Sequence, residues 1–231
     1  MPILECRDLS KRFGSVQALE EVSLMVEPGR VIGLLGPNGS GKTTLLKLAN
    51  GLLTPTGGEI LIDGEAPGKV SRAIVSYLPD RPYLADWMNV RQLLDFFEDF
   101  YADFDRDRAM EMLLRLDIGE DLRIREMSKG TREKTQLILV MSRRAKLYLL
   151  DEPIGGVDPA TRDYILDTII RNYNPEAAVI ISTHLIADVE QVLDDVIFIN
   201  RGKIVLQSSV DEIREEHGMS VDQYFREVFK C

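Results

Sequence analysis

The stretch GPNGSGKTT, Gly36 to Thr44, decides the fold of this chain. It matches the pattern G-x-x-x-x-G-K-[ST] and lies between the apolar run VIGLL and a segment of helical character. Glycines in such a loop let successive backbone N–H groups turn inward around phosphate oxygens. The lysine then reaches the β and γ phosphates, and the next hydroxyl binds Mg²⁺. The pattern predicts a nucleoside triphosphate site formed by Gly36, Pro37, Asn38, Gly39, Ser40, Gly41, Lys42, Thr43 and Thr44.

Two further apolar runs end in residues suited to phosphate chemistry. LYLLDEP contains Asp151 and Glu152, and AVIISTH ends in His184. Strands this apolar are buried in parallel sheets, and ligands of α/β folds bind at the carboxyl ends of such strands. We predict Asp151 as a Mg²⁺ ligand, Glu152 as the group that orients the attacking water, and His184 as a contact of the γ-phosphate. Either run alone is as readily structural, so the phosphate loop favours the catalytic interpretation, in which Lys42 also takes part.

The rest of the chain alternates short strands with helical segments. The first thirty residues predict antiparallel strands with a turn near Gly14, and EILIDG and AIVSYL predict two more strands. Residues 89–125 instead show apolar stripes at helical spacing, typical of a small helical insert. The strand pattern then resumes at LYLLD and continues through a helix at 163–173, AAVIIST, the hairpin VIFINRGKIVL and two closing helices. This order predicts an α/β fold with a mostly parallel sheet.

A second helix start, EMSKGTREKTQL at 126–137, also has features that suit an anion. Ser128 is placed to cap the helix, and Gly130 permits a close approach to the backbone. This start lies about ninety residues beyond the phosphate loop. Simple capping explains Ser128 but does not account for Gly130.

Composition and charge narrow the classes of protein to consider. Apolar residues make up 45% and charged residues 29% of the 231, as in ordinary globular proteins. The net charge of −10 argues against a nucleic-acid partner, which would need a basic face. No apolar run reaches the roughly 18 residues that cross a bilayer, and no secretory signal is visible, so we expect a cytoplasmic chain. Cys6 and Cys231 lie far apart without CxxC spacing, which predicts neither a disulfide nor a metal site.

These motifs together resemble the nucleotide-binding domain of the ABC ATPases over nearly the whole chain. GPNGSGKTT corresponds to the Walker A motif, LYLLDEP to Walker B, GGVD to the D-loop, ISTH to the H-loop and MSKGT to the signature. Phe13 stands where the family has an aromatic ring that stacks on adenine. The resemblance implies that Ser128 and Gly130 bind the γ-phosphate held by a partner domain. It also adds Asp158 of the D-loop to the nucleotide-binding residues.

The resemblance implies the ABC ATPase architecture: a P-loop NTPase core with an N-terminal antiparallel β subdomain and a small helical subdomain. The chain would then be one domain, with residues 1–88 and 146–231 forming the catalytic core. The helical insert with the signature would occupy about 89–145. ATP and Mg²⁺ are the implied cofactors, and the implied active form is a homodimer or heterodimer of such domains.

Two departures from the family pattern concern the site. The signature has Lys129 and Thr131 where Gly and Gln are usual, although Ser128 and Gly130 are kept. Asp80 stands in SYLPDRPYL where the family has the glutamine of the Q-loop. We predict Asp80 as a third metal ligand, because a carboxylate oxygen can bind Mg²⁺ as an amide oxygen does.

The function implied is ATP hydrolysis that powers a separate transmembrane permease, with the chain peripheral on the inner face of the membrane. Segments such as SVDQYFREVF resemble the sequences of bacterial subunits of the ABC-2 type, which favours export. The alternative is an ABC ATPase that acts outside transport, as a regulatory or assembly factor. Forms with a long coiled coil or two domains do not fit this chain, and a GTPase is disfavoured because no NKxD motif is present.

Overall fold

Two β-sheets of different size frame the structure, a computed structural model that describes residues 1–229. The strands in this range are β1 Leu4–Phe13, β2 Val16–Val26, β3 Val31–Leu35, β4 Gly57–Ile62, β5 Val75–Leu78, β6 Leu147–Asp151, β7 Ala178–Thr183, β8 Asp195–Asn200 and β9 Lys203–Ser209. The smaller sheet is antiparallel in the order β2-β1-β4, and the larger has the order β5-β6-β7-β3-β8-β9. Cys6 is buried and free in β1, and burial raises the pKa of its thiol to about 12. Cys231 lies outside the described residues.

The larger sheet is parallel except for β9, which pairs antiparallel with β8. Strands β3, β6 and β7 are buried along their whole length, as their strongly apolar sequences require when both sheet faces are covered. The register pairs Asp151 with Ser182 and Leu35 with Thr183, so these three strands end at one edge. The predicted α/β class is confirmed.

Helices cover both faces of the larger sheet. Within residues 1–229 they are α1 Lys42–Ala49, α2 Lys69–Ile74, α3 Val90–Phe100, α4 Arg106–Leu114, α5 Lys129–Met141, α6 Pro159–Asn172, α7 Ile186–Val189, α8 Val210–His217 and α9 Val221–Phe229. Helix α1 lies between the two sheets, where Leu46 packs in one cluster with Leu4 and Leu34. Helices α5, α6 and α9 contribute to the core on the opposite face. None of these helices is long and apolar enough to cross a bilayer.

Helices α3, α4 and α5 surround a third apolar cluster of their own, which fits the expected helical insert. Helix α5 also supplies Leu137 to the main core, so it belongs to both parts. Arg143, buried just after α5, joins them further: its Nε donates to Asp103 Oδ1 at 2.9 Å and its Nη2 to the carbonyl of Ala73 at 2.8 Å.

Two boundaries differ from the sequence prediction. The run AIVSYL is not wholly a strand, because Ala73 and Ile74 end α2, a helix that the sequence analysis did not predict. Its start is fixed by Ser71, whose Oγ accepts a hydrogen bond from the N–H of Gly68 at 2.8 Å. Helix α6 begins at Pro159 rather than at 163, since proline suits a first helical position and the preceding residue caps the helix.

Candidate active site

A cavity of about 540 Å³ opens where β3, β6 and β7 end. The segments that follow these strands supply Lys42, Glu152 and His184 to its wall. Most of the predicted phosphate loop lines the same cavity: Asn38, Gly39, Ser40, Gly41, Thr43 and Thr44. The structure therefore brings together, at one sheet edge, groups that the sequence predicted separately.

The shape of the phosphate loop depends on glycine at two positions. A Cβ on Gly36 would lie 2.2 Å from the carbonyl oxygen of Ile199, a contact that no side chain can make. Gly41 has φ +113°, and a Cβ there would lie 2.8 Å from the carbonyl oxygen of Ala18. No side chain caps α1, which begins directly after Gly41. Glycine at these two positions therefore lets the loop pack closely against the backbone of Ile199 and Ala18.

Lys42 is nearly buried, and its ammonium is already paired within the chain. Its Nζ donates to the carbonyl oxygens of Gly36 at 2.8 Å and Pro37 at 3.3 Å. It also lies 3.5 Å from Oε1 of Glu152. The side chains of Lys42 and Glu152 are only 6% and 13% exposed, so this ion pair is shielded from water.

Asp151 lies beside the phosphate loop with one oxygen unpaired. Its Oδ1 accepts hydrogen bonds from Ser182 Oγ at 2.6 Å and Thr43 Oγ1 at 3.1 Å, whereas its buried Oδ2 has no partner. Burial raises the pKa of this carboxyl, the hydrogen bonds from Ser182 and Thr43 lower it, and the charge of Asp80 raises it further. A buried unpaired carboxylate oxygen next to a hydroxyl fits a hard divalent cation. Within residues 1–229, no three His, Cys, Asp or Glu side chains could hold a metal by themselves.

Glu152 and His184 contact each other at the mouth of this arrangement. His184 Nδ1 lies 3.1 Å from Oε2 and 3.2 Å from Oε1 of Glu152, within hydrogen-bonding distance. Glu152 has φ +49°, an uncommon conformation for a side-chain-bearing residue, and its N–H donates to the carbonyl of Ser182 at 2.9 Å. The acid is therefore held from three sides, by Lys42, His184 and β7.

Asp80 lines the same cavity as the phosphate loop, whereas seven other predicted residues do not. Three of them hydrogen-bond to residues of the lining: Gly36, Pro37 and Asp151. The other four are Phe13, Ser128, Gly130 and Asp158. Phe13, at the end of β1, is 46% exposed, and Lys11 Nζ lies 5.1 Å from its ring centre. Asp158 caps α6, and its Oδ1 accepts from the N–H of Thr161 at 3.0 Å.

Ser128 and Gly130 lie at the start of α5, also away from the cavity lining. Ser128 Oγ accepts from the N–H of Thr131 at 3.1 Å, so the predicted cap is confirmed. A Cβ on Gly130 would meet no atom within 4 Å, which leaves an open approach to the backbone there.

Ser182 and three residues of β2 belong to the site although the motifs of the sequence do not include them. Ser182 makes the shorter of the two hydrogen bonds to Asp151, and the signal for it was a small hydroxyl residue inside the apolar run AVIISTH. Val16, Gln17 and Ala18 also line the cavity, although nothing in their sequence marks them. Their place follows from the packing of the small sheet over α1.

Comparison with known proteins agrees with this geometry. The family model described as "ABC transporter" matches residues 19–155, which include the phosphate loop, Asp80, the signature and the acids after β6. The chain belongs to the ABC transporter family. It is an ABC ATPase, a protein that binds and hydrolyses ATP.

Relatives of this ABC ATPase are bacterial. It is 34% identical to the ABC transporter ATP-binding protein YtrB of Bacillus subtilis, over 93% of this chain and 75% of that protein. It is 28% identical to the SkfA peptide export ATP-binding protein SkfE of the same organism, over 94% of this chain and 93% of SkfE. A solved ATP-binding subunit of an ABC transporter superposes with a TM-score of 0.89 at 27% identity, covering 98% of this chain and 99% of the other.

Proposed function

We propose that this ABC ATPase powers a membrane transporter through an ATP-driven dimerisation that drives a separate permease. One observation supports it above all: Lys42, Glu152 and, through Thr43, Asp151 converge on the cavity formed by the phosphate loop. Phosphoryl transfer requires a cation, a metal ligand and a water-orienting acid around one phosphate. A protein that only bound nucleotide would not need the acid.

The nucleotide is bound, in this proposal, by the backbone of residues 36–44 and by the ammonium of Lys42. Thr43 and Asp151 would hold Mg²⁺, with Asp80 as a further oxygen ligand, and the unpaired Oδ2 of Asp151 supports that assignment. The ion, when bound, withdraws charge from the phosphate oxygens. Phe13, whose ring is half-exposed at the end of β1, stacks on the adenine.

Hydrolysis is assigned to Glu152 and His184. Glu152 orients a water molecule and accepts its proton as the water oxygen bonds to the γ-phosphorus and the bond to ADP breaks. His184 holds the carboxylate in place and contacts the γ-phosphate. For this to happen Lys42 must exchange the carboxylate of Glu152 for phosphate oxygens, which accept charge-assisted hydrogen bonds from an ammonium in the same way.

The signature completes the site from a second copy or a similar domain. Ser128 and Gly130 offer a helix start with open space in front of it, a favourable position for an anion. Asp158, at the start of α6, would adjoin the nucleotide across the same dimer interface. The reciprocal use of one surface is what a two-fold dimer provides.

Mixing two inactive variants tests the dimer. Lys42→Ala lacks a working phosphate loop, and Ser128→Ala combined with Gly130→Asp lacks a working signature. In a mixed dimer one whole site is restored, so an equal mixture should regain roughly a quarter of the wild-type sites, since half of the dimers are mixed. No recovery, together with wild-type specific activity that stays constant on dilution into the monomer range, would contradict the dimer while leaving ATP binding intact.

Two parts of the proposal are based on the relatives: that the ATPase is coupled to a permease, and that the transporter exports its substrate. SkfE is a peptide export protein by name, and the chain covers nearly all of its length. We infer a peripheral position on the inner face of the membrane through a separate permease. Co-purification with a membrane protein that raises the ATPase rate would support this role, and purification alone with full activity would favour a function outside transport.

A substitution of Asp80 is expected to change metal binding more than nucleotide binding. Asp80→Asn removes a negative charge beside Asp151 but keeps an oxygen ligand, so the Mg²⁺ concentration that gives half-maximal activity should rise while ADP affinity stays constant. Mn²⁺ binding followed by electron paramagnetic resonance checks the same point without turnover. If all three quantities match the wild type, Asp80 is a structural loop residue.

A further inference from the structure

Gln136 is a polar side chain in the apolar middle of α5. It is 3% exposed and is followed by Leu137, Ile138 and Leu139, all buried. Its Oε1 accepts a hydrogen bond from the backbone N–H of Tyr83 at 3.0 Å. A buried amide without a partner is unfavourable, so the position of this side chain depends on that contact.

Tyr83 belongs to the segment that runs from the end of β5 to α3, here named the Asp80 segment (residues 79–88). Asp80, three residues before Tyr83, lines the nucleotide cavity. Pro79 and Pro82 fix two φ angles on either side of Asp80, which stiffens the backbone between the metal side of the site and Tyr83. A displacement of Asp80 is therefore transmitted to the N–H that Gln136 binds.

Gln136 also lies close to the reacting groups. A narrow cavity of about 30 Å³ separates α5 from the end of β6, and Gln136 lines it together with Asp80 and Glu152. Glu133, one turn earlier on α5, lines it as well, and burial raises the pKa of that carboxyl. The middle of α5 thus faces its own chain's site, while its start at Ser128 is directed to another.

Helix α5 can transmit a displacement because it is continuous from Lys129 to Met141. Residues 128 and 136 are about 12 Å apart along such a helix. If a rigid helix is held at Gln136, a movement of the Asp80 segment would move its first turn.

We propose that Gln136 is a positioning residue for ATP hydrolysis: its bond to Tyr83 makes the orientation of α5 follow the Asp80 segment. The inference rests on the proposed function, because it assigns Asp80 to the chain's own nucleotide and the start of α5 to the partner's. It adds one specific side chain that links the Asp80 segment to the start of α5.

The bond itself is tested by hydrogen exchange of the nucleotide-free, full-length chain. Gln136→Leu keeps the size of the side chain and removes the acceptor, so the Tyr83 amide should exchange about tenfold faster, the effect of losing one such hydrogen bond. Thr135→Val is the matched control, because Thr135 is also buried but bonds to the carbonyl of Thr131 and the sulfur of Met127, not to the Asp80 segment. Its Tyr83 amide should exchange as in the wild type.

The link is tested by adding Mg²⁺ and AMPPNP and following exchange at residues 36–44, 79–88 and 128–136. In the wild type and in Thr135→Val, nucleotide should change the rate of amide exchange in all three segments. In Gln136→Leu, nucleotide should still change the exchange rates at 36–44 and 79–88. The change at 128–136 should be about tenfold smaller. Gln136→Glu keeps an oxygen acceptor and should restore the response, which a loss of packing alone would not explain.

An undiminished response of residues 128–136 in Gln136→Leu would overturn the proposal, as would no response there in the wild type. In both cases a response at 36–44 shows that nucleotide binding, and with it the proposed function, still stands. If Gln136→Leu does not fold, Gln136→Met, which retains an unbranched side chain without an oxygen, replaces it with the same expected results.

Discussion

The starts of α1 and α5 are both suited to an anion, yet they are built differently. Helix α1 follows Gly41 without a side-chain cap, and its lysine is buried against Gly36, Pro37 and Glu152. Helix α5 is capped by Ser128, and the next residue, Lys129, has a side chain that is 72% exposed. The first start is enclosed by its own chain, whereas the second faces open space.

In the proposed dimer, one chain therefore supplies two unlike halves of a phosphate site. Where the chain encloses the anion, it provides glycines, a buried cation and acids from neighbouring strands. Where it only approaches an anion from outside, it provides a stable, capped helix end. Substitutions at the two starts should therefore change different measurable quantities, and each prediction below tests that separation.

The largest expected effect is in the cavity that encloses the start of α1. Glu152→Gln removes the acid that orients water, so single-turnover ATP hydrolysis should slow by at least about 100-fold while ADP affinity is kept. Glu176→Gln, at an exposed position, is the control and should be neutral. Hydrolysis at the wild-type rate in Glu152→Gln would remove Glu152 from the site.

A smaller loss of rate is expected at the open start. Gly130→Asp places a carboxylate where a phosphate is expected, so turnover should fall about tenfold or more. The substitution meets no atom and adds a favourable acid to a first helical turn, so the melting temperature should not fall. Gly119→Asp, also in open space, serves as the control. A change of ADP affinity in Gly130→Asp would break the separation between the two starts.

Asp151 gives a pH-dependent test of the enclosed start. Burial raises the pKa of this carboxyl, so its ionised form destabilises the folded state, and the cost grows as pH rises through the folded pKa. Asp151→Asn should therefore raise the melting temperature of the nucleotide-free chain more at pH 8 than at pH 4. It should also remove the Mg²⁺ dependence of nucleotide binding. A stability gain that is equal at both pH values would contradict the assigned charge.

The smallest effect compares one substitution at both starts. Ser128→Ala removes the cap of α5 and should lower the free energy of unfolding by about 1 kcal/mol, or the melting temperature by roughly 2–4 °C. Ser40→Ala, next to α1, should not destabilise the chain, because the Ser40 hydroxyl is buried without a partner. Thermal unfolding of the two variants measures both changes in stability. Equal losses would mean that both starts depend on side-chain capping.

Local patterns predicted the strands and the acids at their ends, because VIGLL, LYLLD and AVIIST require burial and parallel pairing. They also predicted the cap at Ser128, which depends on residues three apart. The contacts of Arg143 with Asp103 and of Gln136 with Tyr83 could not be predicted, because the partners lie 40 and 53 residues away. The same holds for Ser182 beside Asp151, since only the sheet register brings them together.

The pairing of Lys42 with Glu152 has a consequence for product release. A nucleotide entering the cavity competes with an internal carboxylate for one ammonium, so part of the binding free energy is used to separate the pair. When the phosphates leave, the same carboxylate can pair with Lys42 again, which favours release of the product. The pair therefore lowers the affinity for nucleotide and product alike, relative to a site in which Lys42 had no internal partner.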